Sequence, residues 1–328
     1  MPQIDQPKIK ISAIHQIGIV VRNLQEVAEN YWKMLGIGPW EIVTQRHIPE
    51  ATYHGEPAHF ETKVAFAKVG GVELELLETL KGHTVYTDFL ARHGEGIQHV
   101  QYTLDSLVEI SNHVKFMTKR GFPSLMGGHF GNNGGFSYVD TEKALGTVLE
   151  MVKYPDKHTA SVVNYPDSAT EIGLRQVTVK AITRVNIVVK NLEETMENYW
   201  NLIAVGPWDV FECAPPVWHD TTYHGKPTGL TMKAALAMAG PIEIGLIQPV
   251  SGDSIYNDFM SERGPGAALL AFKVNNVDEM TKVMEKKGFS CVQYGRVGSD
   301  GAYAYYDTLE PLKTLWGVYK PSTAMPVI

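Results

Sequence analysis

The chain repeats itself. The segment AIHQIGIVVRNLQEVAENYWKMLGIGPW, Ala13 to Trp40, aligns with AITRVNIVVKNLEETMENYWNLIAVGPW, Ala181 to Trp208, and fifteen of the twenty-eight positions are identical. The correspondence continues: TYHG from Thr52 recurs from Thr222, HTVYTDFLARHGEG from His83 recurs as DSIYNDFMSERGPG from Asp253, and Asp140 pairs with Asp307. A repeat of this length confines the chain to two copies of one supersecondary plan. The boundaries follow as residues 1–153 for a first domain, 154–178 for a polar, irregular linker, and 179–328 for a second domain.

Within the first copy, IHQIGIVV is rich in β-branched residues and reads as a strand, and Asn23 with Glu26 three residues on makes a capping-box start for a helix. Leu24, Val27, Ala28, Tyr31 and Leu35 form one apolar stripe at helical spacing, and Gly36 and Gly38 end it. Strands are expected around Trp40–Thr44, Phe60–Lys68 and Val72–Glu78, which makes a βαβββ unit. The unit recurs more weakly, with a strand expected at Ile97–Thr103, a helix from Asp105 to about Arg120, and strands near Phe136–Asp140 and Thr147–Val152. The expected fold class is therefore α+β, with tandem βαβββ units, four in all.

Composition removes several function classes. A length of 328 residues with 44% hydrophobic and 20% charged residues suits two globular domains, each able to bury its own core. The net charge of −7 is scattered, and no lysine- or arginine-rich stripe offers contacts to a phosphate backbone, so nucleic acid is not an expected partner. MPQIDQPKIKIS lacks the apolar core of a signal peptide, and no apolar stretch is long enough to cross a bilayer, so no membrane association and a cytoplasmic location are expected. Cys213 and Cys291 form no metal-like pair and read as free buried thiols.

The strand-start histidine of IHQIGIVV, the VELELLE strand, IQHVQYTL and the late GTVLEMV strand, in this order, resemble the vicinal oxygen chelate superfamily, which includes glyoxalase I, methylmalonyl-CoA epimerase and extradiol dioxygenases. The resemblance covers nearly the whole chain. It implies that two βαβββ units face each other as a cup-shaped mixed sheet around one divalent metal, with two such cups in the chain. It also implies that ligands stand on the first and last strands of each unit. Carried over residue by residue, they are His15, Glu75, His99 and Glu150.

The second copy is an internal control. At the matching places it carries Thr183, Gly245, Leu269 and Gly317, so all four implied ligands are absent together. By contrast His54 has the twin His224, Glu73 has Glu243 and Tyr86 has Tyr256, which marks those positions as shared scaffold. The second domain is accordingly expected to be a degenerate, structural copy whose cup is filled by Leu269 and by Trp316 beside Gly317. Glu61, replaced by Thr231, is a candidate proton-transfer base. Glu73 shares a strand face with Glu75, but its twin favours Glu75 as the ligand. His47, His59 and His129 read as exposed loop histidines, and Gly128–Gly135 as a glycine-rich turn.

Two imidazoles and two carboxylates would cancel the charge of one divalent cation, and a mixed nitrogen and oxygen set suits Mn, Fe, Co, Ni or Zn. The function implied is a metal-dependent isomerase, epimerase or lyase that moves a proton on a small carbonyl substrate held through adjacent oxygens, with Glu75, Glu150 or Glu61 carrying the proton. The alternatives are an extradiol-type ring-cleaving dioxygenase and a non-catalytic small-molecule-binding protein. A covalent tandem can stand in for a dimer, and further homo-oligomerisation is left open.

Overall fold

The apolar run after His15 forms strand β1 (Gln16–Val20), buried along its whole length. Asn23 caps helix α1 (Leu24–Asn30): its Oδ1 accepts from the Glu26 N–H at 3.3 Å, and its Nδ2 donates to the Glu26 carboxylate at 3.0 Å. The helix passes into a π turn over Tyr31–Leu35 and stops at Gly36, whose φ of 70° strains any residue with a Cβ. Strands β2 (Trp40–Gln45), β3 (Thr52–Tyr53), β4 (Glu56–Pro57), β5 (Glu61–Val69) and β6 (Val72–Lys81) complete the first unit, with β3 and β4 as a short hairpin added to the expected pattern.

Helix α2 (Val85–His93), capped by Thr84, leads to the second unit: β7 (Gly96–Thr103), α3 (Leu107–Thr118) capped by Ser106, β8 (Ser124–Phe130), β9 (Gly134–Val139), the single turn α4 (Glu142–Leu145) and β10 (Val148–Lys153). The glycine-rich stretch is the β8–β9 hairpin. Within the span read as a linker, β11 (Val162–Tyr165) pairs with β2 and extends the edge of the first sheet, and α5 (Ala169–Gly173) follows. This computed structural model describes residues 9–157, 161–173, 175–323 and 326–327.

The second half repeats the plan with β12 (Arg184–Val188), α6 (Leu192–Ile203), β13 (Asp209–Cys213), β14 (Trp218–Tyr223), β15 (Lys226–Pro227), β16 (Thr231–Ala239) and β17 (Ile242–Ser251). It continues through α7 (Ile255–Arg263), β18 (Gly266–Lys273), α8 (Val277–Lys286), β19 (Cys291–Val297), β20 (Gly301–Tyr306), α9 (Leu309–Leu312) and β21 (Leu315–Lys320). Each half is one curled mixed sheet, in the orders β11-β2-β5-β6-β1-β7-β10-β9-β8-β3-β4 and β13-β16-β17-β12-β18-β21-β20-β19-β14-β15. In both, the first strands of the two units lie side by side and antiparallel at the centre.

The halves dock by a reciprocal exchange. Asn30 Nδ2 donates to the Pro311 carbonyl at 3.0 Å while its twin Asn198 donates to the Ala144 carbonyl at 3.1 Å, and Ile14 N–H reaches Ala239 as Ile182 N–H reaches Val69. One apolar core spans both halves and takes in Tyr31, Trp40, Tyr199 and Trp316.

Strand alternation then decides which residues face the concave side. Ile17, Leu74, Val100 and Leu149 enter the shared core, so their neighbours Gln16 and Gly18, Glu73 and Glu75, His99 and Gln101, and Val148 and Glu150 line the cup. Register aligns these into two rows: Glu73, Gln16, Gln101 and Glu150 in one, and Glu75, Gly18, His99 and Val148 in the other.

Candidate metal centre

Glu75 at the middle of β6, His99 on β7 and Glu150 on β10 converge on the floor of the first cup, with ligand-type atoms all within 4.8 Å of one another. His99 is 0% exposed, Glu75 6% and Glu150 5%. His99 Nε2 stands 3.3 Å from Glu75 Oε2 and 3.2 Å from Glu150 Oε2, yet none of the three atoms has a hydrogen-bond partner. Three acceptor-type atoms buried face to face need a cation among them, either a proton on Nε2 or a metal ion, since two buried carboxylates repel unless a positive charge compensates them. One imidazole and two carboxylates around a common point neutralise a divalent cation, so the residues present fit a metal of the Mn, Fe, Co, Ni or Zn group.

The electrostatics agree with an acid-rich floor. Burial pushes the Glu75 carboxyl up from its ordinary value, and the nearby Glu150 adds to the rise against the opposing pull of His99. Burial pulls the His99 imidazole down, but Glu150 and Glu75 outweigh it and leave it raised. Above the floor, Tyr86 and Tyr138 share a hydroxyl–hydroxyl hydrogen bond of 2.8 Å, and the Tyr138 ring lies edge-on to His99 at 5.1 Å. Burial first, then the two glutamates, hold both phenols well above their usual range, so they stay protonated.

His15 is not part of this group. It precedes β1, its Nδ1 lies 3.3 Å from Thr103 Oγ1, and burial lowers its affinity for a proton. The cup face of β1 belongs instead to Gln16 and Gly18. Gln16 is buried, and its Nε2 donates to Glu73 Oε1 at 2.7 Å, which leaves its carbonyl oxygen as the atom suited to ligation. A sequence signal for Gln16 exists: it stands seven residues before the Asn23 cap, as His99 stands seven before the Ser106 cap, so the two units present equivalent strand positions. Gln101 on the same floor is fully buried with both amide atoms unpartnered, and no motif pointed to it. Glu61 lies at the start of β5 in an ion pair with Arg46 at 3.1 Å and is outside the cluster. His129 falls on β8 beside Glu50 and not in a loop.

The second cup has no such group among the described residues. Arg184, at the place of Gln16, is paired with Glu243 and donates to the Val327 carbonyl. Asn186 replaces Gly18 and lies against Gly245, Thr183 bonds the Ala271 carbonyl, and the Tyr305 ring covers Gly317. Leu269, Trp218, Tyr303 and Tyr305 make this cup an apolar core of its own. Trp316 does not belong to it: with Gly317 on the concave face, alternation sends Trp316 to the shared core, 6.1 Å from Tyr31 and 6.3 Å from Phe272.

The family model described as Glyoxalase/Bleomycin resistance protein/Dioxygenase superfamily matches residues 15–138 and again 183–306. A mutant of 4-hydroxymandelate synthase from Streptomyces coelicolor has a similar structure, with a TM-score of 0.61 and 15% identity over 97% of this chain and 94% of that one. A fusion of a xylose isomerase-like TIM barrel with a 4-hydroxyphenylpyruvate dioxygenase matches with a TM-score of 0.56 and 12% identity, over 98% of this chain and 51% of that one. At these identities the likeness is one of fold. No curated protein matches the chain.

Proposed function

We propose, since the chain belongs to the glyoxalase/bleomycin resistance protein/dioxygenase superfamily, that its first half is a divalent-metal-dependent isomerase, epimerase or lyase acting by proton transfer on a small carbonyl substrate with adjacent oxygens. The observation that carries this reading is the set of three unpartnered ligand atoms, one imidazole nitrogen and two carboxylate oxygens, sealed on the floor of one cup. Glu75, His99 and Glu150 would hold the metal, with the Gln16 carbonyl oxygen as a fourth donor. A bound divalent cation supplies stabilisation for negative charge that develops on a substrate oxygen.

The chain's own groups account for the proton. Glu75 and Glu150, whose carboxylates both face the floor of the cup beside His99, are the groups placed to take a proton from carbon and return it. Tyr86 and Tyr138, kept protonated beside them, can donate to a substrate oxygen. Glu61, ion-paired with Arg46, is the less favoured of the proton carriers.

A second reading is ring-cleaving oxygen chemistry. What favours it is that Glu75, His99 and Glu150 are the acidic and histidine side chains that converge among the described residues, and three ligands, without Gln16, leave room at a six-coordinate cation for both a catecholate and dioxygen. The experiment that separates the two is carbonyl-substrate incubation in deuterated water without oxygen. Deuterium appearing at the carbon next to the carbonyl supports proton transfer, and turnover that requires oxygen overturns it in favour of the dioxygenase.

A further inference from the structure

We propose that Gln98 is a positioning residue that fixes the ring orientation of His99 and holds a hydrogen on Nδ1, so that Nε2 faces Glu75 and Glu150 and is the nitrogen left to ligate a metal. Successive residues on a strand normally point to opposite faces, and a side chain at 98 would then be out of reach of the ring at 99. A β-bulge changes this: Gly18 pairs with His99 and Ile19 with Ile97, which leaves Gln98 unmatched. Its Oε1 stands 2.7 Å from His99 Nδ1, with both residues buried. A carbonyl oxygen only accepts, so Nδ1 carries the hydrogen, and in a neutral imidazole the lone pair is then on Nε2.

The second half separates the bulge from the side chain. It has the same register shift between Asn186 and Ile187, with Ala268 unmatched and Leu269 in the place of His99. The bulge therefore forms without the amide, and the amide accompanies the histidine. Gln98 and Ala268 line one cleft between the two halves, so the second half walls the amide on that side. A buried acceptor behind a metal-ligating imidazole typically matters by about 10- to 100-fold in metal affinity.

The consequence for metal rests on the proposed metal site, while the geometry does not. The test compares full-length protein with the Gln98→Met and Gln98→Glu variants by calorimetric titration with Mn(II) and Zn(II), and by the NMR signal of the His99 Nδ1–H in metal-free protein. Gln98→Met should bind either metal at least about tenfold more weakly and lose the downfield shift of a hydrogen-bonded Nδ1–H, whereas Gln98→Glu, which keeps an acceptor, should restore both. Affinity within about twofold of the parent in Gln98→Met, or an unchanged Nδ1–H signal, overturns the proposal. A parent protein that takes up neither metal would sink the metal reading alone, and the Nδ1–H comparison would still decide the role of Gln98.

Discussion

The His99 imidazole lies directly over the α-carbon of Gly18: a methyl group built there would come within 1.8 Å of Cε1 and 2.2 Å of Nε2. Gly18 has no left-handed backbone to accommodate, so close approach alone requires glycine at this position. Gly18→Ala should push the ring off the Glu75–Glu150 axis, weakening metal binding at least about tenfold and destabilising the fold by about 1–3 kcal/mol through overpacking. Metal titration and thermal unfolding of the variant check both effects, and unaltered affinity would show that the ring does not need this seat.

Much of this arrangement was legible in the sequence because the repeat supplies its own comparison. The four βαβββ units follow from the repeat and its hydrophobic patterns and the Asn23 cap from its spacing to Glu26, while Glu75, His99 and Glu150 were implied by the family resemblance and set apart by what the second copy lacks. The contribution of β1 was hidden. His15 attracts attention by residue type, but pairing with Val100 and Leu74 commits Ile17 to the core and gives the cup face to Gln16 and Gly18. Trp316 was hidden for the same reason, since a large residue next to Gly317 looks like a plug until alternation turns it away. Strand β11 has strand-forming Val162, Val163 and Tyr165, but it is four residues long, largely exposed and set in a polar stretch, so the surrounding composition hid it.

Glu75→Gln should separate stability from metal binding. Burial is the main cause that raises the Glu75 pKa, so in the metal-free fold its ionised form is destabilising, and the stability of the metal-free parent falls as pH rises through the raised value. Replacing the carboxyl by an amide removes that charge. Metal-free Glu75→Gln is expected to unfold at a higher temperature than the metal-free parent at pH 8, by an amount on the order of 1 kcal/mol, while gaining little from added metal. A lower unfolding temperature than the parent would contradict a metal-free floor dominated by desolvation.

Metal affinity should climb with pH beyond the range of an ordinary histidine. Because Glu150 and Glu75 outweigh burial and raise His99 above 6.5, its proton stabilises the metal-free fold below that value and is lost only as pH rises through the higher folded value. A metal must displace this proton, so affinity should gain up to about tenfold per unit while His99 remains protonated. Titrations spanning pH 6.5 to the alkaline side test this. An affinity already level above 6.5 would mean that no proton is held on His99.

The second cup should resist conversion into a metal site by ligand grafting alone. Gly245→Glu, Leu269→His and Gly317→Glu would restore the three residue types, but a Cβ at Gly245 meets Asn186 Oδ1 at 2.4 Å and one at Gly317 meets Tyr305 Cδ1 at 2.5 Å. A histidine at 269 would also face the Asn186 side chain, where the first cup offers His99 the bare α-carbon of Gly18. Around it the cup is already packed by Leu236, Trp218, Tyr303 and Tyr305, with no room for a hydrated ion. The triple variant should therefore lose about 1–3 kcal/mol for each overpacked position and still bind one metal per chain. Adding Asn186→Gly reopens the seat under the ring. Metal analysis of the purified variants decides the matter, and a stoichiometry near two for the triple variant, with Asn186 still in place, would show that ligand identity alone distinguishes the two halves.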